Sequence, residues 1–408
     1  MKILVKFRLL CLFGIWGAIM YLSIGLKAFG VESKRVKLIW HASRFFSQKS
    51  FAHSVPAGNY SGITHLYDDV YAVVSDKSDS TLFFLFKIKI NEQGNLEKVE
   101  NLGCRVMVDN VLCDGQRKNT SLHGCDHEAI ARVSDTTVVV ASEGNFSLRE
   151  YEVRPLLQTV SLPKEHQAKS LWEQKWNPSM FYSNYSFESL TFDSERQCLW
   201  TIPESMLRID GVPASPQDWH NNRLRLMRLD WQKMKTKKCN SCVGACDCPI
   251  VTYVYQMDKP STNRKAEIYA LGVSELCALP DGQLLVLERE AFVPKFKIGA
   301  FCKCKIYIVN PWEEQGYLVT VSSDNSLAPL RLDLPILKKR LLAEWKTSLS
   351  VFDRSFANYE GMCLGPRLKD GSQVLVLLSD SQDQYAGFLK DWFRTIVIHP
   401  ESTDAVKK

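Results

Sequence analysis

A two-part phrase recurs five times along this 408-residue chain and constrains its fold more than any other feature. The first part is a short apolar segment led by a polar residue. It occurs as Ser61-Gly62-Ile63, Glu128-Ala129-Ile130, Glu188-Ser189-Leu190, Glu275-Leu276-Cys277 and Glu360-Gly361-Met362. The second part is a stronger apolar run closed by an acid: YAVVSD, VVVASE, LWTIPE, LLVLE and VLVLLSD, ending at Asp76, Glu143, Glu204, Glu288 and Asp380. Lead and closing acid are separated by the length of a β-hairpin, so the two meet at one end of it. Repetition on this scale requires a circular or stacked β architecture, with the acids marking one face.

Further strand signals fill the intervals between phrases. TLFFLFKIKI (81–90), RLRLMRLDW (223–231), PIVTYVYQM (249–257), KCKIYIVN (303–310) and WFRTIVIHP (392–400) follow successive phrases, and several alternate with period two. The expected fold is therefore all-β: a β-propeller of four-stranded antiparallel blades, five or six in number. KRVKLIW (34–40) is placed to pair with the last blade, which closes the ring and removes two free edges. Two stretches, 163–176 and 334–346, show helical spacing and are expected to decorate the ring.

Residues 1–30 belong to another class. Lys2, Lys6 and Arg8 precede an apolar run from Leu9 to Leu26, followed by a small-residue exit at Gly30. This is the pattern of a secretory signal, with an uncleaved N-terminal anchor as the alternative. Residues 31–408 then form a single domain, expected in the periplasm or outside the cell. Membrane contact is expected only if the signal is retained. The segment carries four basic residues and no acids, so the formal charge of +6 falls to +2 without it. Nucleic acid is accordingly a poor expectation for a partner.

Of thirteen cysteines, Cys11 lies in the signal and twelve remain, an even number that reads as disulfides in an exported chain. Cys239, Cys242, Cys246 and Cys248 crowd an insert at 239–248, where zinc is the alternative, and Cys302 and Cys304 form a second cluster.

If the lead strands line a central channel, Glu128, Glu188, Glu275 and Glu360 begin at one mouth beside the closing acids. Glu is a poor strand and turn former, so its recurrence there calls for a shared role. Two unit charges 4 Å apart cost roughly 4 kcal/mol at an effective dielectric near 20, and something must offset that repulsion. Protonation, a hard cation such as Ca²⁺, or arginine would each do so. Arg132, Arg149, Arg208 and Arg289 lie near the phrases, and Lys77 follows the first closing acid. His127 stands beside Glu128 as either a general acid–base or a structural imidazole. HEAIA lacks the second histidine of a zinc-protease helix, because position 131 is Ala. There is no GxSxG elbow, P-loop or dinucleotide fingerprint.

The phrases YSGITHLYDDVYAVVSD, DHEAIARVSDTTVVVASEGN, FESLTFDSERQCLWTIPES and YEGMCLGP…VLVLLSD resemble the phytase-like family described as "esterase-like activity of phytase". The resemblance spans nearly the whole mature chain, on Ser61, Gly62, Asp76, His127, Glu128, Glu143, Glu188, Glu204 and Glu360, with Glu275 and Glu288 in the fourth phrase. It implies an exported propeller and a calcium-dependent hydrolase of small phosphoric or other esters. On that reading His127, Glu128 and Glu143 are catalytic. Asp76, Glu188, Glu204, Glu275, Glu288, Glu360 and Asp380 hold Ca²⁺, and Lys77, Arg132, Arg149, Arg208 and Arg289 bind the substrate anion. A non-catalytic propeller binding a ligand at the same mouth is the rival, since fold alone does not fix function.

Overall fold

The computed structural model describes residues 36–37, 58–77, 82–106, 126–144, 146–152, 172–236, 246–331, 333–350, 356–383 and 389–399. The expected signal segment lies outside them. Five antiparallel sheets form the five blades of a propeller. Blade one contains β2 (Tyr60–Tyr67), β3 (Val70–Ser75), β4 (Leu82–Ile90) and β5 (Leu96–Val106). Blade two contains β6 (His127–Arg132), β7 (Thr137–Ser142), β8 (Ser147–Glu152) and β9 (Trp172–Lys175). Blade three contains β10 (Ser189–Asp193), β11 (Cys198–Ile202), β12 (Arg223–Asp230) and β13 (Cys246–Gln256). Blade four contains β14 (Ile268–Ala278), β15 (Leu284–Val293), β16 (Phe301–Val309) and β18 (Lys339–Ser348).

Blade five contains β19 (Asn358–Arg367), β20 (Gln373–Asp380) and β21 (Phe393–Ile398). Its outer strand is β1 (Val36–Lys37), in register Val36↔Ile398 and Lys37↔Val397. The two ends of the chain therefore clasp the ring, as the early KRVKLIW segment leads one to expect. No sixth blade occurs among the described residues. The long interval between the fourth and fifth phrases instead supplies β17 (Tyr317–Val321), a fifth strand on the outer edge of blade three.

The first strands β2, β6, β10, β14 and β19 neighbour one another in sequence and close on themselves around the axis. Their crowding explains the glycines: a Cβ on Gly62 would lie 2.6 Å from the Ala129 Cα, and one on Gly361 would lie 2.7 Å from the Ser61 carbonyl. The core fills the spaces between blades. In β7, Val138 and Val140 pack toward blade one, whereas Val139 and Ala141 pack toward blade three. A strand buried on both faces reads as an unbroken apolar run, which is why the second phrase is so marked.

The helix expected over 334–346 is instead largely β18, paired with β16 from Phe301↔Ser348 to Val309↔Lys339. Ala343, Trp345 and Thr347 alternate inward along it, and the open edge of β16 supplies the hydrogen-bond partners that override local propensity. In the other stretch, Trp172–Lys175 is strand β9, and residues 163–171 lie outside the described region. The one described α-helix is α1 (Trp231–Thr236).

Cys198, Cys277, Cys302, Cys304 and Cys363 are free thiols, so the expected disulfides do not form at these positions. Cys302 and Cys304 face the same side of β16 with sulfurs 4.0 Å apart, about twice the S–S bond length. In the other cluster, Cys246 and Cys248 begin β13, and Cys239 and Cys242 lie outside the described residues.

Candidate functional site

Register fixes which side chains share the channel mouth. In blade two Ala129 pairs with Ala141, so Glu128 and Glu143 flank that pair on the mouth side. The same offset about Ser189↔Ile202 gives Glu188 and Glu204, and about Gly361↔Leu378 it gives Glu360 and Asp380. In blade one it gives Ser61 and Asp76. In blade four the equivalent pair is Glu275↔Leu287, and the flanking residues are Ser274 and Arg289. The fourth phrase is thus displaced by one residue from the sequence expectation. Glu275 and Glu288 do not line the mouth; a serine and an arginine hold their places.

Glu275 lies deeper on the axis, where it accepts hydrogen bonds from the backbone N–H of Leu190 at 3.1 Å and its neighbour Leu276 at 2.9 Å. Burial raises its pKa against these donors and that of Met362, so the group joins three inner strands. Glu288 faces the seam with blade three. It accepts from the Tyr255 hydroxyl at 2.8 Å and the Lys339 ammonium at 2.5 Å.

Arg289 organises one half of the mouth. Its guanidinium donates to Glu204 at 2.5 Å, to Glu188 at 3.3 Å, to Asn358 at 3.0 Å and also to Glu360. Burial opposes its charge, but Glu360, Glu188 and Glu204 more than restore it. Asn358 further donates to Glu360 at 2.7 Å.

Among the described residues that line the mouth cavity, Arg289 is the one arginine, and the other half gathers a different set. Asp76, Asp126 and Glu128 can each present an oxygen such that the three lie within 4.8 Å of one another. Ser61 donates to Glu128 at 2.6 Å, and the Ser186 N–H donates to Glu143 at 2.7 Å. Lys77 stands 3.9 Å from Asp76 and 3.6 Å from Asp383. Asp76 Oδ1 is buried without a hydrogen-bond partner. Burial and the neighbouring Asp380 push the Asp76 carboxyl up to about 10, and burial with Asp126 takes Glu143 to about 8. Burial, then Asp76 and Glu143, hold Glu128 well above the usual range. A hard cation fits this all-oxygen set and its orphaned oxygen.

Asp126 was not singled out in the sequence. It stands two places before Glu128, as Asn59, Ser186 and Asn358 stand before their leads, so a polar residue recurs there in four blades. His127 occupies the intervening position, shared with Tyr60, Phe187, Val273 and Tyr359, all of them buried. It faces the core beside Arg149, and neither ring nitrogen has a hydrogen-bond partner. Burial, then Arg149, pushes its pKa down to about 3. This placement does not bring His127 to the ring.

The cation set divides as well. Lys77 and Arg289 line a mouth cavity of about 1060 Å³ together with Asp76, Asp126, Glu128, Glu143, Glu188, Glu204 and Glu360. Asp380 is buried just beneath, held by the Gln382 backbone N–H at 2.9 Å. Arg149 pairs with Glu173 at 2.5 Å on β8, and Arg208 donates to the Phe181 carbonyl at 2.6 Å while lying over the Tyr182 ring. Arg132 pairs with Asp135 and borders a cavity at the opposite end of the channel, as does His65.

Fold and site define a five-bladed propeller with an acid-lined mouth. A model of the family described as "Phytase-like: Esterase-like activity of phytase" matches residues 55–382, and the chain belongs to that family. No curated protein matches. Among solved structures, a streptogramin B lyase is 11% identical over 90% of this chain and 98% of its own, with a TM-score of 0.30. A levansucrase bound to sucrose is 12% identical over 85% of this chain and 82% of its own, with a TM-score of 0.37. U3-55K is 9% identical over 90% and 99%, with a TM-score of 0.32.

Proposed function

We propose that the chain is an exported, calcium-dependent hydrolase of phosphoric esters that works at the mouth of the ring. The observation carrying this reading is the oxygen cluster of Asp76, Asp126 and Glu128 with the orphaned Oδ1 of Asp76. These three residues would hold Ca²⁺, which when bound polarises a phosphoryl oxygen. Lys77 and Arg289 meet the remaining anionic oxygens, and the buried carboxylates around Arg289 keep its guanidinium fixed.

Glu143, at about 8, exchanges protons near neutral pH and lies within the cavity. As a carboxylate it accepts a proton from water as the water oxygen bonds to phosphorus. The bond from phosphorus to the ester oxygen breaks, and that oxygen leaves with a proton from a ring carboxyl held in its acid form. Glu360, also raised to about 8, is placed for that donation. His127 has no part in the reaction. Export rests on the basic-then-apolar pattern of residues 1–30.

A panel of phosphomonoesters, phosphodiesters and carboxylic esters tests the reading, wild type against Glu128→Gln, with calcium and with chelator. Phosphoester turnover that needs calcium and disappears in the variant supports it; equal turnover in both proteins removes the ring from the chemistry. The second reading is a binding propeller, favoured by there being no imidazole among the described residues that line the mouth. It would show calcium-dependent ligand binding with no turnover of any ester.

A further inference from the structure

The inner hairpin of blade four continues past the ring. Beyond Arg289 and Ser274, the paired residues Ile268↔Val293 and Ala270↔Ala291 extend outward from the mouth. Ile268, Ala270, Ala291 and Val293 border the mouth cavity, and Phe301 and Phe356 extend the same flank. One cavity therefore has an acidic floor and an apolar side.

The connection from β15 to β16 crowns this wall. Phe296 and Ile298 are 81% and 82% exposed, and Ile268 beside them is 53% exposed. The loop is braced: Lys297 N–H donates to the Pro294 carbonyl at 2.7 Å, and Ala300 N–H donates to Lys297 at 3.1 Å. Leu349 N–H also donates to the Ala300 carbonyl at 3.0 Å. The apolar tips are held out by this geometry. Ile209 and Val212, 47% and 55% exposed, lie on the β11–β12 connection. That connection also joins a second strand to a third, so it emerges at the same end of the ring.

The surroundings are mainly basic, with Glu267 an exposed acid beside Val293. Lys295, Lys297, Arg264 and Lys265 are exposed around the tips. The Arg264 guanidinium lies 5.1 Å over Phe292, and the Lys346 ammonium lies 4.2 Å over Phe301. Apolar prongs inside a cationic collar fit an anionic lipid surface, where the side chains enter the acyl boundary and the charges meet headgroups.

We infer that the mouth face docks on anionic lipid through residues 294–300 and takes its ester from that surface. The ligand would be an amphiphile, with its phosphoester at the ring and its chain along the blade-four wall. This inference rests on the ester-hydrolase reading for the reaction, and on the loop itself for the docking.

Hydrogen exchange in residues 294–300 of the full chain tests the docking, because it reads the loop whatever another segment does with lipid. Vesicles of phosphatidylcholine with phosphatidylglycerol should slow exchange there by about tenfold, and pure phosphatidylcholine should have much less effect. Phe296→Ser/Ile298→Ser should abolish the protection. The same double variant should lose most turnover of dispersed phosphatidic acid while keeping that of a soluble aryl phosphate. Unchanged exchange, or equal protection in the double variant, would overturn the inference. So would equal loss on dispersed and soluble esters, or protection by raised protein concentration without lipid, which would mark contact between copies. Protection with no turnover of any ester would leave the docking in place and sink the hydrolase reading alone.

Discussion

The two halves of the mouth handle the same problem differently. Around blade four, Glu188, Glu204 and Glu360 share the Arg289 guanidinium, which offsets part of their charge within the protein. Around blades one and two, Asp76, Asp126 and Glu128 bring oxygens within 4.8 Å of one another, with Lys77 3.9 Å from Asp76 and the buried Asp76 Oδ1 left without a hydrogen-bond partner. One half carries a buried guanidinium as its counter-charge, and the other presents an unpartnered carboxylate oxygen. The comparison teaches that a cluster of acids is informative where its compensation is missing.

The largest effect should come from removing that compensation. Arg289→Met leaves three buried carboxylates facing one another and should cost about 3–5 kcal/mol in denaturant unfolding. A loss no greater than that of a surface substitution would erase the distinction between the halves. Calcium at a hundred times its dissociation constant should stabilise the wild type by about 2.7 kcal/mol, a shift read in thermal melts and reversed by chelator. Asp76→Asn should abolish that shift and raise the melting temperature of the metal-free protein, because a neutral amide avoids the cost of holding a buried carboxyl protonated. A metal-free melting temperature that falls instead would count against Asp76, Asp126 and Glu128 as a cation site.

The pH response follows with a definite sign. Burial, with Asp126 at Glu143 and against Arg289 at Glu360, lifts both groups from 4.5 to about 8. The folded chain then holds protons that the unfolded chain has released, so metal-free stability should fall as pH rises from about 4.5 to 8. Melting curves across that range should flatten when calcium is present. The smallest effect belongs to Glu275→Gln. Its carboxyl is already held toward the protonated form, and an amide oxygen can accept the same backbone bonds. A cost under about 1.5 kcal/mol and an unchanged calcium shift are expected.

The propeller, its ring closure and the placement of most acids were legible because each second strand is buried on both faces and ends at the mouth; the choice between five and six blades was not. Blade four was misregistered because its acids, Glu275 and Glu288, each precede the position that matters along the closing side or follow it along the leading side. Aligning Ser274-Glu275-Leu276 with Ser61-Gly62-Ile63 would have corrected it, since both open on serine. Of the two roles open to His127, its burial agrees with the structural one and not with the catalytic one, because adjacent strand residues point to opposite faces; its counterparts Tyr60, Phe187 and Tyr359 carry that signal as aromatics. The 334–346 stretch was illegible for another reason. Its pattern fits a helix, and only the exposed edge of β16, supplied by distant sequence, makes it a strand.

The pairing of Val36 with Ile398 also sets an order of events. During synthesis β1 leaves the ribosome long before β21, so it must wait unpaired while five blades are made. The clasp cannot form until the final strand is released. A chain handed across a membrane N-terminus first would therefore complete its ring only on the far side, after translocation has ended.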